Sequence, residues 1–215
     1  MDNPVSAISY LARAKHLITS EDRASLIYAA LELRCGVEAR LQEHALTAVG
    51  ISKGQATQWE ITKLAKTIDG AFGLGDSFMF LFLHMEDGRE CTFLYAPVSK
   101  RLQSLAKRCG DYLHAIALER IQNPGFWAEL RNILNEGCSL LEVSCRSEIL
   151  RPTFEHGLHF SLAPDDPRIE VIKDIQAGAN GTFTTAEITP TGPVSVYLPE
   201  VASTTSSGNS TDEAA

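Results

Sequence analysis

Long apolar runs are missing from this sequence of 215 residues. The longest, Phe78-Met-Phe-Leu-Phe-Leu83, has six residues, whereas a membrane span requires about 18, so no membrane helix is expected. The start, Met1-Asp-Asn-Pro4, lacks the basic residues and apolar stretch of a secretory signal. Positive charge is also scarce: 19 Lys and Arg stand against 27 Asp and Glu, for a formal charge of −8. A surface of that sign repels nucleic acid and anionic lipid, so any such binding has to be local. No C-x-x-C pair occurs, and the cysteines number five, at Cys35, Cys91, Cys109, Cys138 and Cys145. An odd count without paired spacing argues against a secreted disulfide framework and for reduced thiols in a cytoplasm. Cys35 and Cys138 fall inside helical patterns, where a free cysteine serves as a small core residue. Also absent are the phosphate loop G-x-x-x-x-G-K-[ST], the nucleophile elbow G-x-S-x-G and the zinc helix H-E-x-x-H.

What is present suffices for a buried core. Hydrophobic residues make up 44% and charged residues 21%, which excludes global disorder and fits one large domain or a domain with a small appendix. The spacing predicts a first helix from Pro4 to about Leu17, with Ile8, Leu11, Lys15 and Ile18 on one stripe. Thr19-Ser-Glu-Asp22 reads as the cap of a longer helix in which Leu26, Ala30, Leu33, Val37 and Leu41 recur at three- and four-residue steps. After a break at Gly50–Gly54, a third helix is expected over about 55–68, with Ile61, Leu64, Ala65 and Ile68 inward. The period then changes. Residues 77–95 read as a hairpin around Asp87-Gly88. A fourth helix is expected from Pro97 to about Leu118 and a fifth from Asn123-Pro124, with Gly137 near its end or in a kink.

Beyond Val143 the composition shifts. Arg151–Phe160 looks extended, and Pro167 opens either a short helix or a strand carrying Ile169, Ile172 and Ile175. Residues 181–189 and 193–198 look like a second hairpin, and 201–215 is a tail of Ser, Thr, Gly, Asn and acids that reads as disordered. The expectation is therefore an α+β protein, mainly α. A helical domain over 4–145, built as a five-helix bundle with an inserted β-hairpin, precedes a small mixed α/β appendix at 146–200. A module of that size rarely folds without a partner surface.

Four places carry possible chemistry. Gly73-Leu-Gly75-Asp76-Ser77 resembles part of a phosphate loop, but it precedes a strand, and phosphate is bound by amides that open a helix. Glu155, His156 and His159 could hold zinc or iron if the Gly between the histidines turns the chain. On a plain strand, positions 156 and 159 point to opposite faces. Glu32, Arg34 and Glu38 put charge beside the apolar stripe of the second helix, as a solvated face or as a packed polar network. The fourth helix carries Lys100, Arg101, Lys107 and Arg108 against one acid, Asp111. Arg108 and His114, six residues apart, are residue types that cleave RNA without metal. A neutral His takes the 2′-OH proton, and a guanidinium stabilises the charge growing on phosphate. The same two residues also fit a surface charge and a satisfied histidine on a bundle helix.

Arg108-Cys-Gly-Asp-Tyr-Leu-His114, together with Tyr28-Ala-Ala-Leu-Glu-Leu-Arg34 and Glu38, resembles the HEPN superfamily, helical bundles of prokaryotic defence and toxin–antitoxin systems with a late-helix R-x(4–6)-H motif. The resemblance covers about residues 4–145. It implies a homodimeric, metal-independent endoribonuclease with no cofactor, in which Arg108 and His114 are catalytic. Asp111, Glu32, Arg34 and Glu38 would then be supporting residues, and Lys100, Arg101 and Lys107 would bind RNA. The alternative expectation is a non-enzymatic helical module that binds a protein partner.

Overall fold

Ser6 and Asp22 set the two helices on which the rest is assembled. In this computed structural model, which describes residues 3–20, 22–114 and 121–190, the Ser6 hydroxyl accepts the Ser9 N–H and caps α1 (Ala7–Ile18). The Asp22 carboxylate accepts the Ser25 N–H at 3.0 Å and opens α2 (Arg23–Thr47). Such caps satisfy amides that have no partner inside the helix. Along α2 the expected stripe Leu26, Ala30, Leu33, Val37 and Leu41 is buried throughout. In α1 the stripe is rotated from its expected place. Ile8 is 59% exposed, and Ala7, Leu11, Ala14 and Ile18 face inward instead. Two alanines in that row let α1 lie close to α2.

The helix expected over 55–68 is split. Ser52 and Gln55 close a reciprocal capping box that starts α3 (Lys53–Ala56) early. The Thr57 N–H and hydroxyl then both bond to the Lys53 carbonyl and end it. The chain restarts as α4 (Ile61–Phe72), which buries Ile61, Leu64, Ala65 and Ile68 as expected. Gly73, at φ +70°, closes α4 in the left-handed conformation that glycine adopts without penalty.

Ser99 caps α5 (Lys100–Gly110), which ends well before the expected Leu118. The N–H groups of Asp111, Tyr112 and Leu113 fold back onto the carbonyls three residues earlier, so the chain winds into tight turns instead of continuing the helix. Asn123 caps α6 (Pro124–Cys145), and Phe126, Trp127, Leu130, Ile133 and Leu134 are buried there. Gly137 does not end α6, which continues to Cys145. It lies mid-helix against Leu33, whose Cδ2 would be only 2.5 Å from an added Cβ. In return, a Cβ on Gly36 of α2 would meet Leu141 Cδ2 at 2.8 Å.

The expected hairpin pairs β1 (Phe78–Met85) with β2 (Glu90–Tyr95) antiparallel, Leu83 opposite Cys91, and Gly88 turns at φ +87°. After α6 come β3 (Ile149–Arg151) and β4 (His159–Phe160), which pair with each other, then α7 (Arg168–Gln176) and β5 (Gly181–Ile188). β5 pairs antiparallel with β1, a neighbour the sequence did not announce, while the strand expected over 193–198 lies outside the described residues. The sheet order is β2-β1-β5. That placement explains why β1 is apolar on both faces. Phe78 and Phe80 pack with Ala96 on one side, while Met79, Leu81, Leu83 and Met85 pack with Phe93, Tyr95, Ile149 and Val171 on the other. Residues 201–215 likewise lie outside the described ones. The protein is thus mainly helical with small antiparallel sheets. Among the described residues there are seven helices: the five expected in the bundle, the extra α3 split from the third, and α7, where the segment after Pro167 takes the helical of its two expected forms. No helix there is long and apolar enough to cross a membrane.

Two helical glycines should respond oppositely to substitution. Gly137→Val places methyl groups where Leu33 already sits, and urea denaturation should show a loss of about 2–3 kcal/mol. Gly70→Ala in α4 meets nothing within 4 Å and should gain about 0.5–1 kcal/mol by lowering the entropy of the unfolded chain. Equal responses would mean that the α2–α6 contact is looser than described.

Candidate functional site

The two arginines of α5 do not stand free. Arg101 holds the Glu136 carboxylate of α6 through two contacts of 2.6 Å each. Arg108, two turns later, pairs with Glu129. The two arginines are seven residues apart, as are the two glutamates, so antiparallel α5 and α6 are joined along one seam. The Arg101 hydrogen bonds hold the Glu136 carboxyl below the ordinary carboxylate range. Lys100 and Lys107 are exposed, and the Lys100 backbone N–H is capped by Asp76 Oδ1 at 2.8 Å. Asp111 is the C-cap of α5, and His114 lies exposed in the bend beyond it. Arg108 and His114 therefore sit on different pieces of backbone at the same end of α5.

Glu32 and Arg34 join α2 to other helices, and Glu38 holds Arg34 from within α2. Glu32 accepts from Arg13 of α1 at 2.8 Å, and Arg34 donates to Glu38 at 3.0 Å. The Arg34 guanidinium also rests against Gly110, where an added Cβ would lie 2.5 Å from Nη1. That puts a cation at the negative end of α5.

Two other candidates are accounted for locally. Glu155 and His156 are exposed in the turn at Gly157 (φ +76°), and His159 is exposed on β4. The glycine does turn the chain, yet among the described residues no three His, Cys, Asp or Glu side chains converge as a metal site would need. The 73–77 loop uses its polar groups internally, since the Gly75 N–H donates to Asp69 Oδ1 at 2.9 Å. All five cysteines are free, and burial pushes the Cys109 thiol up to about 12 and the Cys138 thiol up to about 11.

A site absent from the sequence expectations lies between α2, α4, the end of β2 and the start of α5. It is a cavity of about 290 Å³ walled by Leu41, Phe72, Tyr95 and Val98, with Lys66 and Asp69 exposed at its mouth. His44 of α2 also lines it and is 1% exposed. Its Nδ1 lies 3.0 Å from the Leu150 carbonyl, and a carbonyl only accepts, so Nδ1 carries the proton. The other ring nitrogen, Nε2, is buried with no partner among the described residues. Burial, followed by the nearby Arg40 charge, pushes the His44 pKa down to about 3, while the Leu150 bond opposes the shift. The imidazole is neutral at pH 7, and Nε2 is a bare acceptor. Arg40, one turn earlier and also buried, donates to Glu43 at 2.6 Å and to the Ser147 carbonyl at 3.0 Å. The sequence did carry a signal for His44. It falls three residues after Leu41 and seven after Val37, on the inward stripe, where a polar side chain has to find a partner.

No protein-family model matches this chain, and no curated protein or solved structure matches it either.

His44 makes stability depend on pH. The unfolded chain binds a proton near 6.5 that the folded chain refuses until about 3. Stability from this group is therefore fully present above 6.5 and is lost as pH falls toward 3. Between pH 7 and 5 the wild type should lose about 2 kcal/mol more than His44→Phe in urea denaturation. Parallel pH profiles for the two proteins would contradict the buried neutral imidazole.

Proposed function

We propose that this chain is a helical interaction module that binds a protein partner and does not cleave RNA. The observation that carries this reading is the commitment of both α5 arginines to carboxylates of α6. Two of the four cations of α5 are paired with Glu136 and Glu129, and Asp111 caps the same helix, so the local positive field that a phosphodiester would need is largely cancelled. An exposed pair costs only about 0.2–1 kcal/mol to break, but the displaced carboxylate would remain beside the phosphate and repel it. The frame is read here as a five-helix bundle of α1, α2, α4, α5 and α6 that presents the sheet. Phe154 and Phe183, stacked at 5.1 Å and about half exposed, give the region of β5 an apolar contact of the kind protein partners use.

A second reading is a dimeric, cytoplasmic, HEPN-type endoribonuclease in a bacterial defence or toxin–antitoxin setting. It is favoured by one observation, the surface location of Arg108 and His114 at the same end of α5. His114 would be the general base and Arg108 the phosphate clamp.

RNA cleavage in the presence of EDTA separates the two. Wild type, Arg108→Ala, His114→Ala and Glu129→Gln should all be inactive. Cleavage by the wild type that disappears in both alanine variants would establish the nuclease, and a rise in Glu129→Gln would show that the ion pair restrains it. Sedimentation of the same preparations gives the mass, where a dimer is required only by the second reading.

A further inference from the structure

The cavity between α2, α4 and the start of α5 is open to solvent, and its lining is of two kinds. Leu41, Ala65, Ile68, Phe72 and Val98 give it hydrocarbon walls. Lys66, Asp69, Asp76 and Lys100 bring two charges of each sign to its mouth. The lysines are the unused pair. Lys63 reaches back three residues to Glu60 and binds it at 2.6 Å. Lys66, three residues before Asp69, makes no ion pair among the described residues, and neither does Lys100. The carboxylates are each half used. Asp69 Oδ1 accepts the Gly75 N–H at 2.9 Å and Asp76 Oδ1 accepts the Lys100 N–H at 2.8 Å, which leaves both Oδ2 atoms without a partner there. Tyr95 adds a neutral polar group. It is 2% exposed, and its hydroxyl bonds to nothing among the described residues. That oxygen is not one of the unpartnered polar atoms sealed from solvent, so it keeps a little open surface on a side chain that lines this cavity. Burial pushes the phenol pKa up, Arg40 opposes the shift and Asp69 adds to it, so the hydroxyl is a donor at pH 7.

We propose that this cavity binds a free α-amino acid with an apolar side chain, of the size of leucine or phenylalanine, the side chain against the hydrocarbon walls and the zwitterion between the lysines and aspartates of the mouth.

Each part of that description follows from a feature of the site. A ligand carrying one charge would meet as much repulsion as attraction among two lysines and two aspartates. A zwitterion uses all four. Its ammonium donates to the Oδ2 atoms of Asp69 and Asp76, and its carboxylate accepts from Lys66, Lys100 and the Tyr95 hydroxyl, all charge-assisted contacts. The body is apolar because the walls offer hydrocarbon, and a few polar groups fixing an apolar ligand is the usual composition of a small-molecule site. Size sets the limit. The cavity holds about 290 Å³, near the lower bound of about 300 Å³ for such sites and about twice the roughly 150 Å³ that accepts benzene. One amino acid is accommodated, and a peptide with two bulky side chains is not. This inference does not depend on the partner-binding reading above.

Calorimetric titration of the full chain tests it with L-leucine and L-phenylalanine against three fragments of leucine. These are 4-methylpentanoate without the ammonium, 3-methylbutylamine without the carboxylate, and free glycine without the side chain. Each fragment should bind about tenfold more weakly than leucine, the effect of losing one charged end or the buried methyl groups. Two variants place the ligand. Asp69→Asn retains an oxygen for the Gly75 N–H, and Lys66 is exposed, so neither Asp69→Asn nor Lys66→Gln disturbs the core. Each should weaken leucine about threefold, the effect of one exposed ion pair. The fragments should respond with opposite signs. Asp69→Asn should tighten 4-methylpentanoate by removing repulsion, and Lys66→Gln should do the same for 3-methylbutylamine, a pattern that a mere loss of stability would not produce. No binding of leucine or phenylalanine at millimolar concentration, a fragment that binds as tightly as leucine, or leucine affinity unchanged in both variants would overturn the proposal.

Discussion

The close passage of α2 against α6 governs this architecture. Leu33 of α2 occupies the space that a side chain on Gly137 would take, and Leu141 of α6 does the same at Gly36. Each helix thus supplies one knob and one gap, and a side chain on either glycine would force the two apart. With α6 fixed there, α1 lies along α2 through small residues, with Tyr10 Cβ also 3.1 Å from the position of a Gly36 side chain. α4 and α5 close the remaining flanks. A helix of 25 residues enclosed in this way has little solvent left for its polar side chains.

That enclosure explains how Arg40 and His44 are used. Both face inward, and both find their partners in the segment just after α6, Arg40 at the Ser147 carbonyl and His44 at the Leu150 carbonyl. Glu43, which pairs with Arg40, also accepts the Ala7 N–H that opens α1. The charge is thereby tied to three parts of the chain. Removing one partner of such a buried pair strands the other, so these contacts matter more for uniqueness of packing than for gross stability. The same arrangement leaves Nε2 without a donor among the described residues.

Legibility in the sequence followed the range of the interactions. The α2 stripe and the Asp87-Gly88 turn are set by neighbours within a few residues, and both were readable. Ile8 misled because its neighbours Ala7 and Ala14, low in hydrophobicity, win the inward face by being small. The stop of α5 at Gly110 is a backbone event near Arg34, a residue 76 positions away, and no local spacing reports it. The Arg108 and His114 spacing was visible as letters. Glu129, which occupies the guanidinium, comes from another helix. His44 stood on a readable stripe, but its unpaired acceptor exists only once Leu150 has taken the other nitrogen.

The central place of β1 has a consequence for the order of assembly. Its β2 neighbour is made within a few residues, whereas β5 arrives about a hundred residues later, with Phe78 opposite Ile188. Long-range pairing of that kind forms slowly. During synthesis the most apolar stretch of the chain exists for a time as a two-stranded ribbon with one open edge. Such an edge is a template for pairing with other chains. Speed of chain completion, or a chaperone that shields the edge, then decides the yield of folded protein. Neither requirement can be read from the stability of the finished fold.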